Sequence, residues 1–242
     1  MKEKPHGPIE GKFRKIGNHN IYVDGNDRYV VRVEALDKDA DVGASELKKL
    51  RDQYGIQIPK FSVSRRKFIA NSWNKRQFLT TESRSFYVAE HVDGFPLYGN
   101  FSVPDNELTA FKGSMDDTCS GLSRYFLDIF ESGEGSYLAD INYLQFMYGR
   151  TRLNPRNRVI LVDVDPFTQR LDRGLEAFLS RGPEQVAEMV LSMEGQIGAR
   201  LDNSRLELQK FSHVPSLKPW IKEHAWRSAP SFCRINLGIG RI

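Results

Sequence analysis

The chain has 242 residues, of which 40% are hydrophobic and 27% are charged. These fractions exclude an intrinsically disordered chain, which has low hydrophobicity and high net charge. The length suits one domain or two tightly packed lobes. The net charge of +4 is compatible with a polyanionic partner, but scattered lysines produce the same value, so charge alone selects no function.

The chain lacks the features of a membrane or secreted protein. No apolar run reaches the roughly 18 residues of a membrane-spanning helix, and residues 1–11 are too polar for a secretory signal. Cys119 and Cys233 are too few for a disulfide framework or a metal cluster, and we interpret both as packing residues. We expect a cytoplasmic protein without a membrane partner.

Short β-branched and aromatic segments between turn residues predict a β-rich N-terminal part. The predicted strands are residues 12–16, 20–23, 29–33, 77–80 and 86–90. A helix is predicted after the third strand, with an N-cap near Ser45 and an end before residues 56–59. The predicted order is three strands, one helix and two strands.

Helical spacing replaces this pattern after the Asp-Gly-Phe-Pro sequence at residues 93–96, which we interpret as a turn. The clearest helix is predicted over residues 108–131. Its apolar residues at helical spacing include Leu122, Tyr125, Phe126, Ile129 and Phe130. A β-rich N-lobe of residues 1–97 is therefore followed by a mostly helical C-lobe of residues 98–242.

A small hairpin is predicted inside the C-lobe. Apolar stretches at residues 144–148 and 159–162 flank a polar turn at residues 150–158. Further helices are predicted over residues 183–201, 206–211 and 219–224. The fold class predicted for the whole chain is α+β, with two lobes.

The order of elements resembles the protein-kinase-like superfamily over about residues 11–167. In that family a strand lysine contacts the nucleotide phosphates, and a glutamate of the next helix pairs with the lysine. Arg32 takes the lysine position here, and Glu46 takes the glutamate position. Residues 86–97 (Phe-Tyr-Val-Ala-Glu-His-Val-Asp-Gly-Phe-Pro-Leu) resemble the hinge whose backbone holds adenine. The resemblance implies cofactor contacts from Glu90 and Val92.

The resemblance also implies a catalytic loop and a metal site. Asp140, in Leu-Ala-Asp-Ile-Asn-Tyr-Leu-Gln, holds the position of the catalytic base, and Gln145 replaces the family's asparagine. Asp163 follows an apolar strand in the position of the metal-binding aspartate, and Asp165 could act as a second acidic ligand. This Asp-Val-Asp-Pro ending resembles small-molecule kinases more than protein kinases. The implied cofactors are ATP and Mg²⁺.

Three departures from the family pattern weaken this chemistry. Arg32 carries a broad planar fork that does not fit the slot of a lysine, although it could pair with Glu46. Gln145 moves its amide oxygen by about one bond length, which disturbs an octahedral Mg²⁺ site. Gly17 alone stands where the family's phosphate loop uses several glycines.

Five of the residues named for the site also have simpler interpretations. Asp140 could be a helix cap, and Asp163 and Asp165 could end a strand before Pro166. Arg32 could pair across the sheet, and Glu46 could belong to a solvated helix face.

Three functions remain open from the sequence. The first is a pseudokinase-type binding or regulatory protein with a protein partner; the second is a divergent ATP-dependent phosphotransferase acting on a small-molecule or protein hydroxyl. The third is a nucleic-acid-binding protein that uses the basic and aromatic residues of 64–78, for which a charged hairpin tip is the preferred interpretation. We therefore expect nucleotide rather than nucleic acid as the ligand.

Overall fold

The structure of the chain is a computed structural model that describes residues 13–16, 21–24, 26, 28–33, 37–66, 69–71, 77–79, 84–98, 101–133, 135–139, 141–162, 168–170 and 174–214. The strands are β1 (Phe13–Ile16), β2 (Ile21–Asp24), β3 (Tyr29–Val33), β4 (Phe61–Arg66), β5 (Ile69–Asn71), β6 (Gln77–Leu79), β7 (Arg84–Glu90), β8 (Asp93–Pro96), β9 (Ser136–Leu138), β10 (Phe146–Arg150), β11 (Arg158–Leu161) and β12 (Thr168–Arg170). The α-helices are α1 (Asp37–Tyr54), α2 (Leu108–Ser132), α3 (Leu175–Arg181), α4 (Pro183–Ile197) and α5 (Asp202–Gln209).

The N-lobe is a five-stranded antiparallel sheet in the order β1-β2-β3-β7-β4. The predicted strands of β1, β2, β3 and β7 are confirmed within one or two residues. The sequence prediction missed β4, because Phe-Ser-Val-Ser-Arg-Arg alternates over only a few residues before a charged end. The predicted strand at 77–80 is β6, but it pairs with β5 in a separate hairpin and is not part of the main sheet.

Helix α1 begins at Asp37, earlier than the predicted N-cap at Ser45, which is an exposed residue inside the helix. The sequence Asp-Lys-Asp-Ala-Asp at residues 37–41 is rich in acidic residues, a composition that favours the start of a helix. Among the described side chains of this helix, the buried apolar ones are Ala44, Leu47, Leu50 and Tyr54. The prediction was wrong about the start of the helix and right about its end.

The C-lobe is built around α2, which is buried along much of its length and confirms the helix predicted at residues 108–131. Asp116 of α2 is buried and accepts hydrogen bonds from the Ser204 N–H (2.8 Å) and Oγ (2.7 Å) at the start of α5. Glu194 of α4 forms a buried ion pair with Arg205 of α5. These polar contacts tie α5 to the two helices beside it. Helix α3 and strands β9 and β12 had no counterpart in the sequence prediction.

Residues 93–96 form strand β8 and not the predicted turn. This strand pairs with β10 in a three-stranded sheet, β11-β10-β8, with Gly94 opposite Gly149. A Cβ on Gly149 would lie 2.7 Å from the Gly94 Cα, and one on Gly94 would overlap the Tyr148 carbonyl. Gly94 was interpreted as a turn residue. Glycine is instead required there because the backbones of β8 and β10 approach too closely for a side chain.

The architecture predicted from the sequence is confirmed: an antiparallel N-terminal sheet with one helix precedes a mostly helical part, and the fold class is α+β. The hairpin predicted around residues 150–158 is β10–β11. The helix predicted at residues 219–224 lies outside the described residues. Within the described part of the chain, no helix is long and apolar enough to cross a membrane.

The thiol of Cys119 is expected to be chemically inert. It is fully buried in α2, and burial, reinforced by the carboxylates of Asp116 and Glu194, raises the pKa of Cys119 far above its ordinary value. Because the thiolate is the reactive form, native Cys233→Ser protein should give no Ellman's-reagent signal at pH 8 until it is unfolded in urea. Rapid labelling of this variant in the native state would contradict the packing role assigned to Cys119.

Candidate functional site

The segment that connects the two lobes offers two backbone groups for a ligand. The Glu90 N–H donates to the Lys60 C=O (2.9 Å), and the His91 N–H donates to the Arg28 C=O (2.9 Å). Among the described residues, the Val92 N–H makes no hydrogen bond, and the Glu90 C=O accepts none from the neighbouring Lys60 N–H. Both residues are buried. An acceptor and a donor two residues apart on the backbone are suited to a flat ligand with a complementary edge.

Tyr125 of α2 joins the N-lobe helix to the C-lobe. Its hydroxyl donates to Glu46 Oε2 (3.0 Å) and accepts a hydrogen bond from the Leu138 N–H (2.9 Å). Tyr125 is fully buried, and this burial, with the nearby Glu46 charge, raises the pKa of Tyr125 well above its ordinary value. The hydroxyl therefore stays protonated and can act as a donor to the carboxylate. One oxygen of Glu46 is thus held from the C-lobe.

The end of α1 is anchored to α2 by two further contacts. The Tyr54 hydroxyl donates to Asp128 Oδ2 (2.7 Å), and the Tyr54 ring packs edge-on against Tyr125 with ring centroids 5.4 Å apart. At Gly121 the backbone of α2 comes so close that an added Cβ would overlap the Tyr54 carbonyl oxygen. Helix α1 consequently has a defined position relative to α2.

Backbone pairing joins described residues that flank the sequence-predicted catalytic and metal segments. Strands β9 and β12 are antiparallel with Leu138 opposite Thr168, so the chain leaves β9 and enters β12 at the same end of this ribbon. The Val162 N–H, directly before Asp163 in the sequence, donates to the Gln145 C=O (2.9 Å). Gln145 itself is half-buried at the end of a 3₁₀ turn, Tyr143–Gln145.

Comparison with known proteins found similarity in structure but none in sequence. No protein-family model and no curated protein match this sequence. Similar solved structures include WaaP in complex with acyl carrier protein, at 15% identity and a TM-score of 0.47, over 89% of this chain and 88% of that chain. An ADP-bound aminoglycoside phosphotransferase has 11% identity and a TM-score of 0.41, over 90% and 81% of the two chains. A microcompartment-associated aminopropanol kinase has 12% identity and a TM-score of 0.36, over 89% and 87%.

The order of elements that the sequence resemblance implies is present in the structure: three strands, helix α1, further strands, the connecting segment and a helical lobe. Identities of 15% or less and TM-scores below 0.5 are not a basis for a shared activity or substrate.

Four of the sequence-predicted site residues have described side chains. Glu90 and Val92 lie together in the connecting segment, Glu46 contacts Tyr125, and Gln145 adjoins Val162 through its backbone. Of the remaining four, Arg32 has a backbone that belongs to β3. Asp140, Asp163 and Asp165 lie outside the described residues. Their assigned roles stay predictions.

Sequence reasoning missed the polar role of Tyr125, which it placed only in the apolar stripe of α2. The available signal was the chemistry of tyrosine, because a hydroxyl at a fully buried position requires partners. A second missed residue is Asn142, whose Oδ1 accepts from the Leu144 N–H (2.9 Å) and starts the turn that carries Gln145. An asparagine directly before a turn, bonded to the N–H two residues on, is a recognisable Asx cap.

Proposed function

We propose that this chain is a kinase-fold, adenine-nucleotide-binding protein of the pseudokinase type, with a binding or regulatory role toward a protein partner. The observation that carries the proposal is the backbone pair of the Glu90 C=O and the Val92 N–H. Among the described residues, the Val92 N–H makes no hydrogen bond, and the Glu90 C=O accepts none from the neighbouring Lys60 N–H. Adenine presents an amino donor beside a ring acceptor, and this pair complements that edge. The residues present therefore fit the nucleotide.

The environment of Glu46 supports a binding role over efficient transfer. One of its carboxylate oxygens accepts a hydrogen bond from the Tyr125 hydroxyl. Helix α1 is therefore held in place by α2 and does not depend only on a pairing of Glu46 with Arg32. Arg32 replaces a lysine that would contact two phosphates, and guanidinium geometry differs from that of an ammonium. These features preserve the lobes and weaken the phosphate contacts.

The second candidate, a divergent phosphotransferase for a small-molecule or protein hydroxyl, has its own support. Strand β9, which precedes Asp140, pairs with β12, which follows Asp165, and the Val162 N–H before Asp163 donates to the Gln145 C=O. Hard oxygen donors at Gln145, Asp163 and Asp165 would suit Mg²⁺, and Asp140 would act as the base on the acceptor hydroxyl. A bound Mg²⁺ would neutralise phosphate charge during transfer.

Thermal unfolding with a non-hydrolysable ATP analogue tests both candidates. Ligand at 100 times its Kd should raise the midpoint by about 5 °C or more, because it binds only the native state. A rise that does not need Mg²⁺ and persists in Asp163→Ala supports the pseudokinase. A rise that needs Mg²⁺ and disappears in Asp163→Ala, but not in the exposed control Asp117→Ala, supports the phosphotransferase. No rise at millimolar ligand rejects nucleotide binding.

A further inference from the structure

The turn between β10 and β11 concentrates positive charge. Four arginines occur within residues 150–158, and no acidic residue occurs from residue 146 to residue 162. Arg150 is balanced by an ion pair with Asp93 (Nη2–Oδ2 3.1 Å), and Arg158 is half-buried with its Nη1 donating to the Asn157 C=O (3.3 Å). We call residues 150–158 the arginine turn.

The other two arginines of this turn are available to a partner. Arg152 and Arg156 are both exposed, and neither forms an ion pair with any residue that the structure describes. Between them, Leu153 is 65% exposed, the highest value among the large hydrophobic side chains of the described residues. A charged turn that served solubility alone would need no leucine at its tip.

The arginine turn is held in a defined shape before any partner binds. The Thr151 N–H donates to the Asn154 C=O (2.9 Å), and the Asn154 N–H donates back to Thr151 Oγ1 (3.0 Å). Asn157 Nδ2 donates to Glu107 Oε2 (2.8 Å), which ties the turn to the residue before α2. Because the backbone is ordered in advance, binding requires little additional ordering of the chain.

We propose that the arginine turn is a docking surface for an acidic protein segment, which places carboxylates against Arg152 and Arg156 and an apolar side chain against Leu153. Arginine suits this task because its planar fork binds a carboxylate through two parallel hydrogen bonds. Arginine is also enriched in protein interfaces, where an apolar contact is surrounded by polar ones.

Charge around the turn favours a protein over an extended polyanion. Two carboxylates lie beside the turn, since Asp93 pairs with Arg150 and Glu107 accepts the hydrogen bond from Asn157. A lipid surface or a nucleic-acid backbone would bring phosphates against these carboxylates as well. A folded or helical partner with a localised acidic patch avoids that repulsion.

Fluorescence anisotropy of the full chain with a labelled helical Glu/Leu peptide tests the proposal independently of nucleotide binding. The peptide should bind in 50 mM NaCl and more weakly in 300 mM NaCl. The double variant Arg152→Gln/Arg156→Gln should lose about fivefold or more in affinity. Leu153→Ser should lose about twofold or more, whereas Arg124→Gln, an exposed arginine of α2, should bind like the unaltered chain. Thermal unfolding of each variant verifies that the fold is kept.

Three outcomes would overturn the proposal. The first is no saturable peptide binding below about 1 mM. The second is an equal loss of affinity in Arg124→Gln, which would indicate a general charge effect. The third is equally tight binding to phosphatidylglycerol vesicles or to single-stranded DNA, with the same dependence on Arg152 and Arg156, because the surface would then recognise polyanions and not a protein.

Discussion

Gly121→Ala is expected to lower the free energy of unfolding by about 2–4 kcal/mol. Gly121 lies in α2 where the end of α1 crosses it, and a Cβ there would overlap the Tyr54 carbonyl and stand 2.8 Å from Ile56 Cδ1. The carbonyl belongs to backbone and cannot move without displacing α1. Urea denaturation followed by circular dichroism measures the loss.

The same helix supplies the control. Gly113 is an exposed residue of α2, and an added Cβ at that position meets no atom within 4 Å. Gly113→Ala should therefore stabilise the chain by about 0.5–1 kcal/mol through helix propensity. Equal responses of the two glycines would show that contact between α1 and α2 is not tight at Gly121.

Tyr125→Phe is expected to lower the free energy of unfolding by about 2–3 kcal/mol, although it removes only one oxygen atom. The phenyl ring keeps its packing against Tyr54 and Phe126. The loss arises because the Leu138 N–H and the Glu46 carboxylate both give up a buried hydrogen-bond partner. The unfolding free energy in urea provides the measurement, as for the glycine variants.

Tyr54→Phe is the matched control for this change. Its hydroxyl also donates to a carboxylate, that of Asp128, but Asp128 is exposed and water can replace the lost donor. The expected cost is about 0.5–1.5 kcal/mol. If Tyr54→Phe lowered the free energy of unfolding as much as Tyr125→Phe, the hydrogen bonds of Tyr125 to Glu46 and Leu138 would contribute no more than an exposed one.

These two contacts bear on the proposed function because they determine where Glu46 stands. Helix α1 follows β3, which contains Arg32, and its position relative to α2 is set by Gly121 and Tyr125. A helix anchored in this way suits a stable binding protein. Nucleotide titration of Tyr125→Phe would show whether the anchor also matters for the ligand site.

Elements with long and regular sequence patterns were predicted more accurately than short ones. Both ends of helix α2 were predicted to within one residue, because its apolar residues recur at helical spacing along its 25 residues. Strand β8 was mistaken for a turn because Asp-Gly-Phe-Pro contains the usual turn residues. The glycine at its centre serves contact with Gly149, and that residue is distant in sequence.

The sequence by itself determined the α+β class, the order of the lobes and the positions of Glu46, Glu90, Val92 and Gln145 along the chain. Local propensity and periodicity are enough for that, because they act over neighbouring residues. Only the tertiary structure decided that Tyr125 holds Glu46, that Val162 bonds to Gln145, and that the Val92 N–H is left without a partner among the described residues. These hydrogen bonds join residues that are distant in sequence. The tertiary fold determines which of them come into contact, and therefore which buried groups find a partner.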